Sequence, residues 1–467
     1  MDDLLFLSHR IPYPPNKGDK LRSYHVLKHL ASRYRVHLGT FVDDANDWQH
    51  VETVKRLCTG KTLCLPLSPR RAKLRSLTGL VTGQALAVPY YRDSRMTRWV
   101  EHVVDHHRIR RVVVFSSPMA QYVNELDDID RLIDFVDVDS DKWKQYAEAG
   151  HRATAWLYRR EAEKLLDFER YSAARAIASV FVTQVESALF RRLAGDLISP
   201  VITVENGVDA EYFSAKAVAR PHEWQSTRQP TRQQGTLQDG NDADNRRIVF
   251  TGAMDYKPNV DAAAWFAREV MPLIRHQLPL ASFWIVGARP TAEVRSLARA
   301  NEIFVTGTVT DVRPYLAHAG VVVVPMRLAR GIQNKALEAM AMGAATVVSS
   351  TSAIALNAVP GRDFLIADDA ESFARAVIDL LNDPRQRSRL GHAGRSAVLE
   401  NYDWSRNLAR IDRCFDSDFD RSVDRLFDVP PRDEASQAGH TAGLATGPVF
   451  KRRVPPGPLL ATEVEHA

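Results

Sequence analysis

The 467-residue chain is too long for one ordinary domain and long enough for two domains of roughly 200 residues each. Its 45% hydrophobic and 25% charged residues are typical of a folded, water-soluble protein, and a formal net charge of +5 is too small to indicate bulk nucleic-acid binding. The three cysteines, Cys58, Cys64 and Cys414, are odd in number and lack metal-ligand spacing, so they argue against a disulfide framework and favour a reducing compartment.

The N-terminal segment reads MDDLLFLSHRIPYPP, in which two acids precede a short apolar run. A signal peptide has a basic start and an apolar stretch of about 7 to 15 residues. Nowhere does the chain approach the ~18 consecutive apolar residues that span a bilayer; its most apolar runs are VVVF near 115 and VVVVPM near 324. We therefore predict a protein that is not exported and that meets a membrane only at its surface.

The first half alternates short β-rich runs with segments of helical apolar spacing. LLFLS at 4–8 is followed by a Pro- and Gly-rich loop and by the helical pattern SYHVLKHLAS. The later runs are RVHLGTFV, TLCLPL, RVVVFSS, RLIDFVDVD, SVFVTQ and VITVENGVDAEYF. This alternation predicts a parallel sheet with crossover helices, and we assign residues 1–213 to a first Rossmann-like domain.

Between 214 and 246 aliphatic residues almost vanish, which predicts a flexible linker. A second alternating series, RIVFTGA, ASFWIVGA, EIFVTG, GVVVVPM and AATVVSS, predicts a second Rossmann-like domain over 247–402. A helix at 403–428 and a disordered tail at 429–467 complete the predicted chain. The predicted fold class is thus α/β, with two doubly wound parallel-sheet domains facing across a cleft that binds a ligand at the carboxyl ends of the strands.

The strongest chemical signal is RGIQNKALEAMAMG, from Arg330 to Gly343, directly after the VVVVPM strand. A glycine before a helix N-terminus lets backbone amides approach a phosphate, and the helix dipole favours an anion there. Lys335 adds a positive charge beside that position, and Glu338, one turn into the helix, is placed to accept hydrogen bonds from sugar hydroxyls. The same spacing also fits a surface Lys and Glu on an ordinary amphipathic helix.

The wider segment PMRLARGIQNKALEAMAMGAATVVSS resembles the donor-binding segment of family-4 retaining glycosyltransferases of the GT-B fold. In that family two glutamates stand eight residues apart. Glu338 corresponds to the second, which binds the ribose, and Arg330 stands at the first, which contacts the transferred sugar. GIQNK followed by LEAMA is similar to a sub-group associated with exopolysaccharide and PEP-CTERM gene systems. The resemblance implies donor contacts from the residues around this helix start: Arg330, Gly331, Ile332, Asn334 and Lys335.

TGAMDYKPN, at 251–259, lies where family members carry an arginine and a lysine that hold the donor diphosphate. Ala253 stands at the arginine position, and Lys257 lies close to the lysine position. The resemblance therefore implies a phosphate contact from Lys257. We hypothesise that Arg330 and Lys335 supply the positive charge that the alanine removes.

Weaker matches extend the resemblance over most of residues 3–413. IVGARP and VTGTVTDVRPYLAHAG match two strands whose terminal glycines let a nucleotide base lie against backbone, and YPPNKGDKLRSYHVL resembles the glycine loop of the first domain. Arg22, in the helix after that loop, either faces the ligand or is solvated. The further donor neighbours implied by these matches, where simple turn chemistry is the alternative, are Gly18, Gly287, Gly307 and Asp311.

DFVDVDSDKW contains Asp137 and Asp139, a DxD pair of the kind that holds a divalent metal on the donor in the other large glycosyltransferase fold. The two-domain alternation argues against that single-domain fold, so we predict no metal site. The resemblance places a histidine of the family near the reacting carbon at about this point, and Asp139 is the nearest polar residue. Asp139 thus joins Arg330 and Lys335 as a candidate catalytic residue, unless it only caps the following helix.

Residues 69–111 contain ten Lys or Arg and three Asp or Glu, interleaved with apolar residues such as Leu74, Leu77 and Val81. The mixture fits a contact with an anionic membrane, where each basic group contributes about 1 kcal/mol. It also fits a solvated basic face. We predict a cytoplasmic protein that is at most peripheral on the inner face of the cell membrane.

The resemblance implies transfer of a sugar, with retention of configuration, from a nucleotide-diphosphate sugar to a hydroxyl of a lipid-linked saccharide, without a metal cofactor. A nucleotide-sugar 2-epimerase shares the architecture but needs acid and base residues that we do not locate. A dinucleotide-dependent oxidoreductase needs a G-x-G-x-x-G turn, and neither domain has one. A non-catalytic nucleotide-sugar-binding partner stays open because Arg330 replaces a glutamate of the family's site.

Overall fold

The computed structural model describes residues 1–15, 18–149, 152–196, 199–215, 218–221, 224, 246–299, 302–328 and 332–416. The chain divides into two compact units. Among the described residues, unit 1 comprises Met1–Val204 together with Arg410–Asp416, and unit 2 lies within Glu205–Ala409.

Unit 1 is built on a parallel sheet of seven strands in the order β3-β2-β1-β4-β5-β6-β7. The strands are β1 Asp3–Ser8, β2 Arg35–Val42, β3 Thr62–Pro66, β4 Arg111–Phe115, β5 Asp130–Val136, β6 Ala178–Phe181 and β7 Val201–Thr203. The helices described here are Gly18–Ala31, Val51–Leu57, Pro69–Ser76, Thr78–Thr82, Ala87–Tyr90, Ser94–His107, Asp139–Ala149, Arg152–Ala174 and Gln184–Ala194, with 3-10 turns at Ala45–His50 and Ser117–Tyr122. Central strands such as β4 are almost wholly apolar because helices cover both faces of the sheet.

Unit 2 contains a parallel sheet of six strands in the order β10-β9-β8-β11-β12-β13. The strands are β8 Arg247–Thr251, β9 Ser282–Val286, β10 Ile303–Gly307, β11 Val321–Val324, β12 Thr346–Val348 and β13 Leu365–Ile366. The helices described here are Lys257–Trp265 and Met271–Gln277, joined by a π turn at Phe266–Val270, then Ala292–Leu297, Arg313–Ala317, Asn334–Ala341, Ser350–Ala353, Ala370–Asn382, Pro384–Asn401 and Trp404–Arg413, whose end belongs to unit 1.

In both sheets the strand order reverses beside the first strand of the unit. β1 lies between β2 and β4, and β8 lies between β9 and β11. At such a switch point successive connections leave on opposite faces of the sheet, which opens a crevice at the carboxyl ends of the strands. The loops after Ser8 and Phe115 flank this point in unit 1, and those after Thr251 and Val324 flank it in unit 2. The predicted fold class, two doubly wound parallel α/β domains, is confirmed.

The stretch after β7, which the sequence analysis placed with the first domain up to residue 213, packs in unit 2. The Val208 N–H donates to the carbonyl of Tyr402 at 2.8 Å, and Arg395 donates to the carbonyl of Phe213 at 2.9 Å. Gly207 lies so close to the last helix that a Cβ would come within 2.6 Å of the backbone nitrogen of Trp404. Unit 2 accordingly begins at residue 205.

Most of the predicted linker, 214–246, and the tail from 417 onwards lie outside the described residues. Trp224 is described, and it is only 3% exposed. Its ring meets those of Trp284 and Tyr315 edge-on, and the guanidinium of Arg247 lies 4.4 Å from its centre. At this position the predicted linker is anchored on unit 2.

An ion pair lies in the buried centre of unit 1. Arg22 and Asp134 are fully buried, and Arg22 donates from Nε to Asp134 and from Nη1 to the carbonyl of Val204, both at 2.8 Å. Burial raises the pKa of Asp134, and the Arg22 charge opposes that shift. Arg22 is therefore neither solvated nor facing a ligand, because it joins the first helix to β5 and to the end of β7.

Replacing Asp134 with alanine should lower the free energy of unfolding of unit 1 by about 3 to 5 kcal/mol, because Arg22 stays buried without its counter-charge. The double change Arg22→Met with Asp134→Leu removes both charges, so it should lower the free energy of unfolding by less than Asp134→Ala does. Urea unfolding followed by circular dichroism measures both effects. The exposed pair of Lys55 and Glu52 supplies the control, since Lys55→Ala should leave the curve unchanged. A wild-type midpoint for Asp134→Ala would contradict this account.

Candidate functional site

The carboxyl edge of the unit 2 sheet brings together the two loops that the sequence analysis singled out. One follows β8 and leads into the helix that begins at Lys257; the other follows β11 and leads into the helix Asn334–Ala341. β8 and β11 are hydrogen-bonded neighbours, so both loops border the switch point. Arg330 and Gly331 belong to the second loop but lie outside the described residues. Their assigned roles stay predictions.

Lys335 connects the two loops. Its Nζ donates to Oδ1 of Asn259 at 3.0 Å and to Oε1 of Gln333 at 3.3 Å, and it lies 5.8 Å from the centre of the Phe250 ring. Asn259 in turn donates from Nδ2 to the carbonyl of Ala253 at 2.9 Å. A cation is thus held at the start of its own helix, where the backbone already favours an anion.

Burial perturbs both ionisable groups in the first turns of this helix. It lowers the pKa of Lys335 to about 8, while the charge of Glu338 acts in the opposite direction. It raises the pKa of Glu338 to about 7, against the effect of Lys335. Neither side chain is exposed, unlike the Lys and Glu of an ordinary amphipathic helix surface. Opposite charges that titrate near neutral pH are typical of functional sites.

Two glycines set the shape of the crevice beside Lys335. A Cβ on Gly287 would lie 1.7 Å from the carbonyl oxygen of Gly252, and a Cβ on Gly252 would lie 2.7 Å from Nδ2 of Asn259. Any side chain at Gly287 would force the ends of β8 and β9 apart, and one at Gly252 would displace Asn259 from Lys335. Gly287 therefore has a packing role, and its contact with a donor stays a prediction.

Three further predicted residues flank the helix starts of unit 2. Lys257 is exposed at the first residue of its helix, and Ile332 is partly buried just before the helix Asn334–Ala341. Oδ1 of Asn334 is buried and has no hydrogen-bond partner among the described residues. A ligand or a water molecule ordinarily satisfies such an acceptor, which agrees with the predicted sugar-side position of Asn334.

Gly307 is the last residue of β10, at the edge of the sheet, and Asp311 follows it. Gly307 adopts a left-handed backbone conformation, with φ of 70°, which favours glycine. Space is not the reason for the glycine, because a Cβ at this position would contact no other atom. Asp311 accepts from the side chain of Arg313 at 2.7 Å, and that guanidinium lies 3.8 Å from the centre of the Tyr212 ring. Because β10 is two strands from β8, these residues lie roughly 10 Å along the edge from the switch point.

In unit 1, Gly18 begins the first helix with open space at its Cβ position, and Asp139 begins the helix Asp139–Ala149. Ser140 donates its hydroxyl to Glu169 at 2.5 Å, and the N–H of Val138 donates to Glu186 at 2.7 Å. Burial raises the pKa of Glu169 to about 8. Two buried glutamates therefore fix the loop that carries Asp139, whose catalytic role stays a prediction.

The sequence analysis missed a polar cluster at the switch point of unit 1. Arg10 pairs with Asp19 at 3.0 Å and with Asp43 at 2.8 Å. His9 is 8% exposed; its ring stacks on Phe115, and its Nε2 lies 3.4 Å from Asp19. Nδ1 of His9 is buried without a hydrogen-bond partner among the described residues. The sequence feature that could have revealed this cluster is the polar pair His9 and Arg10, which directly follows the first apolar strand.

A possible metal-ligand group among the described residues, Asp3, His37 and His107, lies at the opposite edge of unit 1. Arg35 donates to both carboxylate oxygens of Asp3 at 2.6 Å. His37 accepts the N–H of Lys61 on Nδ1 at 3.1 Å, so Nε2 carries the proton that it donates to Asp3 at 2.7 Å. Both nitrogens of His37 are thus occupied, and the group does not fit a cation.

Comparison with protein families places an enzymatic domain at this point of the chain. Residues 245–383 match the family model described as Glycosyl transferases group 1. The match contains both loops of the unit 2 switch point, with Lys257, Lys335 and Glu338. Unit 2 therefore carries a group 1 glycosyltransferase domain, and the predicted enzyme class is confirmed at the level of that domain.

A curated relative covers a smaller part of the chain. The GDP-mannose-dependent alpha-(1-6)-phosphatidylinositol monomannoside mannosyltransferase of Mycolicibacterium smegmatis is 28% identical over 156 residues, which are 30% of this chain and 41% of that protein. The match spans about two fifths of the relative's length.

Solved structures resemble this chain over most of its length. Sucrose-phosphate synthase from Thermosynechococcus elongatus has a TM-score of 0.64 at 17% identity, covering 89% of this chain and 98% of that one. Alr3699/HepE of Anabaena, in complex with UDP, has a TM-score of 0.59 at 13% identity, covering 89% and 99%. At these identities the likeness establishes the fold, which is that of GT-B glycosyltransferases.

Affinity for a nucleoside diphosphate should be greatest between pH 7 and pH 8. In this prediction Glu338 accepts ribose hydroxyls as a carboxylate, so affinity falls as the pH drops through its raised pKa of about 7. Lys335 attracts phosphate only when protonated, so affinity falls as the pH rises through its lowered pKa of about 8. Beyond each limb the loss approaches about tenfold per pH unit, measurable by titration calorimetry.

The terminal phosphate of the nucleotide also titrates near pH 6, so two variants isolate the protein's contribution to this profile. Glu338→Gln should remove the acid limb that lies near pH 7, and Lys335→Met should remove the alkaline limb. Limbs that persist unchanged in both variants would show that neither group controls binding.

Proposed function

We propose that the chain is a retaining glycosyltransferase that moves a sugar from a nucleotide-diphosphate sugar to a hydroxyl of a lipid-linked saccharide, in exopolysaccharide or other cell-surface glycan synthesis. The observation that carries this proposal is the hydrogen bond from Lys335 to Asn259, which holds a partly buried cation at a helix start inside the group 1 domain, one turn before Glu338. Two similar proteins, one GDP-mannose-dependent and one solved in complex with UDP-glucose, support a nucleotide-sugar donor.

The donor diphosphate in this proposal replaces the side-chain oxygens that Lys335 now contacts. Lys257, at the start of the helix across the switch point, adds a second cation, and the backbone at Gly331 and Ile332 approaches the phosphates. Glu338 accepts the ribose hydroxyls. As the bond between sugar and phosphate breaks, charge builds on the diphosphate, and these groups stabilise it without having to reorient.

We assign no metal to this reaction. In metal-dependent transfer a divalent cation neutralises the leaving diphosphate. Here the positive charge that neutralises the diphosphate comes from Lys335, Lys257 and the N-terminus of the helix Asn334–Ala341. The proposed neighbours of the transferred sugar are Arg330 and Asn334, and Asp139 of unit 1 stays the candidate polar group on the acceptor side.

Exposed apolar side chains support a membrane contact. The segment 69–82, here named the apolar hairpin, contains the helices Pro69–Ser76 and Thr78–Thr82, with Leu77 between them. Among its basic residues it exposes Leu74 by 71%, Leu77 by 51% and Val81 by 90%. Apolar surface of this kind with a basic rim suits an anionic leaflet. Within the described part of the chain, every helix is too short or too polar to span a bilayer. We propose that this face binds the inner surface of the cell membrane.

A thermal-shift panel of nucleoside diphosphates and nucleotide sugars should contain a ligand that stabilises the protein by about 2.7 kcal/mol at a hundred times its dissociation constant. Lys335→Ala should lose most of that response. Arg268→Ala removes an exposed cation that pairs with Glu293, and it should keep the response.

Donor consumption in the presence of EDTA then separates an enzyme from a non-catalytic binder. The proposed function is wrong if the wild-type protein responds to no nucleotide. The assigned site is wrong if Lys335→Ala responds like the wild type.

The double variant Leu77→Glu with Val81→Glu should reduce cosedimentation with phosphatidylglycerol vesicles at low salt, because it places two acids on the apolar hairpin. Val185→Glu changes an exposed valine on the helix Gln184–Ala194 and should bind like the wild type. A wild-type protein that stays in the supernatant would argue against the membrane contact.

A further inference from the structure

A cavity of about 300 Å³ lies at the carboxyl edge of unit 1, beside the edge strand β3. Pro66, the last residue of β3, and the two residues after it form one wall of the cavity. The start of the helix Pro69–Ser76 and the start of the helix Ser94–His107 form the others. The charged side chains that line it are Arg71, Arg75, Arg95 and Asp93.

The hydrogen bonds of these arginines leave positive charge in the cavity. Arg95 is neutralised by Asp93, with Nη2 donating to Oδ2 at 2.7 Å. Arg75 donates to two backbone carbonyls, one of them that of Pro89 at 2.7 Å, and such acceptors carry no formal charge. Arg71 makes no hydrogen bond or ion pair with any residue that the structure describes. Asp93 also lies close enough to Arg75 to interact with its charge, so one carboxylate faces three guanidinium groups and the cavity keeps an excess of positive charge. Guanidinium groups match the geometry of phosphate oxygens.

The cavity adjoins the apolar hairpin. Arg71 and Arg75 lie one helical turn apart and share a face of the helix, whereas Leu74 projects to solvent from the next face. One helix thus presents cations to a cavity and an apolar side chain to its rim. A phosphate attached to a lipid chain needs both features. Free phosphate has no apolar part, so it needs only the cations.

Strand register connects the cavity to the switch point of unit 1. Ser8, Thr40 and Cys64 form one row across β1, β2 and β3, and His9 directly follows that row on β1. Neighbouring strands lie about 4.8 Å apart, so roughly 10 Å separates the end of β3 from the end of β1. A saccharide attached to a phosphate in the cavity is long enough to reach His9 along this edge.

We propose that the cavity lined by Arg71, Arg75 and Arg95 binds the phosphate of a lipid-linked acceptor, whose lipid chain lies along the apolar hairpin and whose saccharide extends to His9. This inference rests on the proposed function, because it names the acceptor subsite of the same enzyme. It differs from the general membrane contact, since it assigns phosphate recognition to three side chains rather than to the whole basic face.

Cosedimentation of the full chain with phosphatidylcholine vesicles that carry a small fraction of polyprenyl monophosphate tests the proposal. Arg71→Gln with Arg95→Gln should weaken this binding at least tenfold. Arg70→Gln with Arg98→Gln removes the same charge from exposed positions on the same two helices, outside the cavity, and should weaken it much less. Equal losses in the two pairs would overturn the proposal, since only a general basic face predicts them.

Four measurements complete the design. Arg71→Gln alone alters an exposed side chain that leaves the fold intact, and it should still weaken binding. Inorganic phosphate should compete weakly, and vesicles with the uncharged polyprenol should not bind; strong competition by inorganic phosphate would indicate a site for free phosphate and overturn the proposal. All variants should keep the wild-type nucleotide response, because that site lies in unit 2. Loss of a nucleotide response in the wild type counts against the proposed function instead.

Discussion

The hydrogen bond from Lys335 to Asn259 joins the two loops at the switch point of unit 2, and the other features of the site depend on it. Gly252 leaves room for Asn259, and Gly287 lets the ends of β8 and β9 approach. The bond holds an ammonium group in partly buried surroundings, where burial lowers its pKa and raises that of Glu338. A lysine that is already in place loses less side-chain freedom when a donor binds.

The two units present different chemistry at equivalent points of their sheets. Unit 2 offers cations, a helix start and a carboxylate, which suit a water-soluble nucleotide sugar. Unit 1 offers the cluster of His9 and Arg10, a cavity with an excess of arginines over carboxylates, and the apolar hairpin, which suit an acceptor that arrives on a lipid. This division follows from topology, because a doubly wound sheet exposes its loops for binding only at its carboxyl edge.

Both sheets were predictable because strands buried on two faces appear as continuous apolar runs, and Lys335 and Glu338 were found from their spacing on one helix. Arg22 was not, since an arginine in an amphipathic helix is usually solvated and its partner Asp134 lies 112 residues away. Trp224 is a lone aromatic in a polar segment, so no periodicity reveals that it is buried. The packing of 205–213 on unit 2 is a long-range property as well, because a stretch without regular secondary structure has no periodicity that shows which unit it packs against.

A crystal structure of the protein with a nucleoside diphosphate tests the central claim most directly. The account predicts that Lys335 Nζ leaves Asn259 and donates to a phosphate oxygen, while Glu338 accepts from the ribose hydroxyls. A nucleotide bound elsewhere, with the hydrogen bond between Lys335 and Asn259 intact, would contradict it.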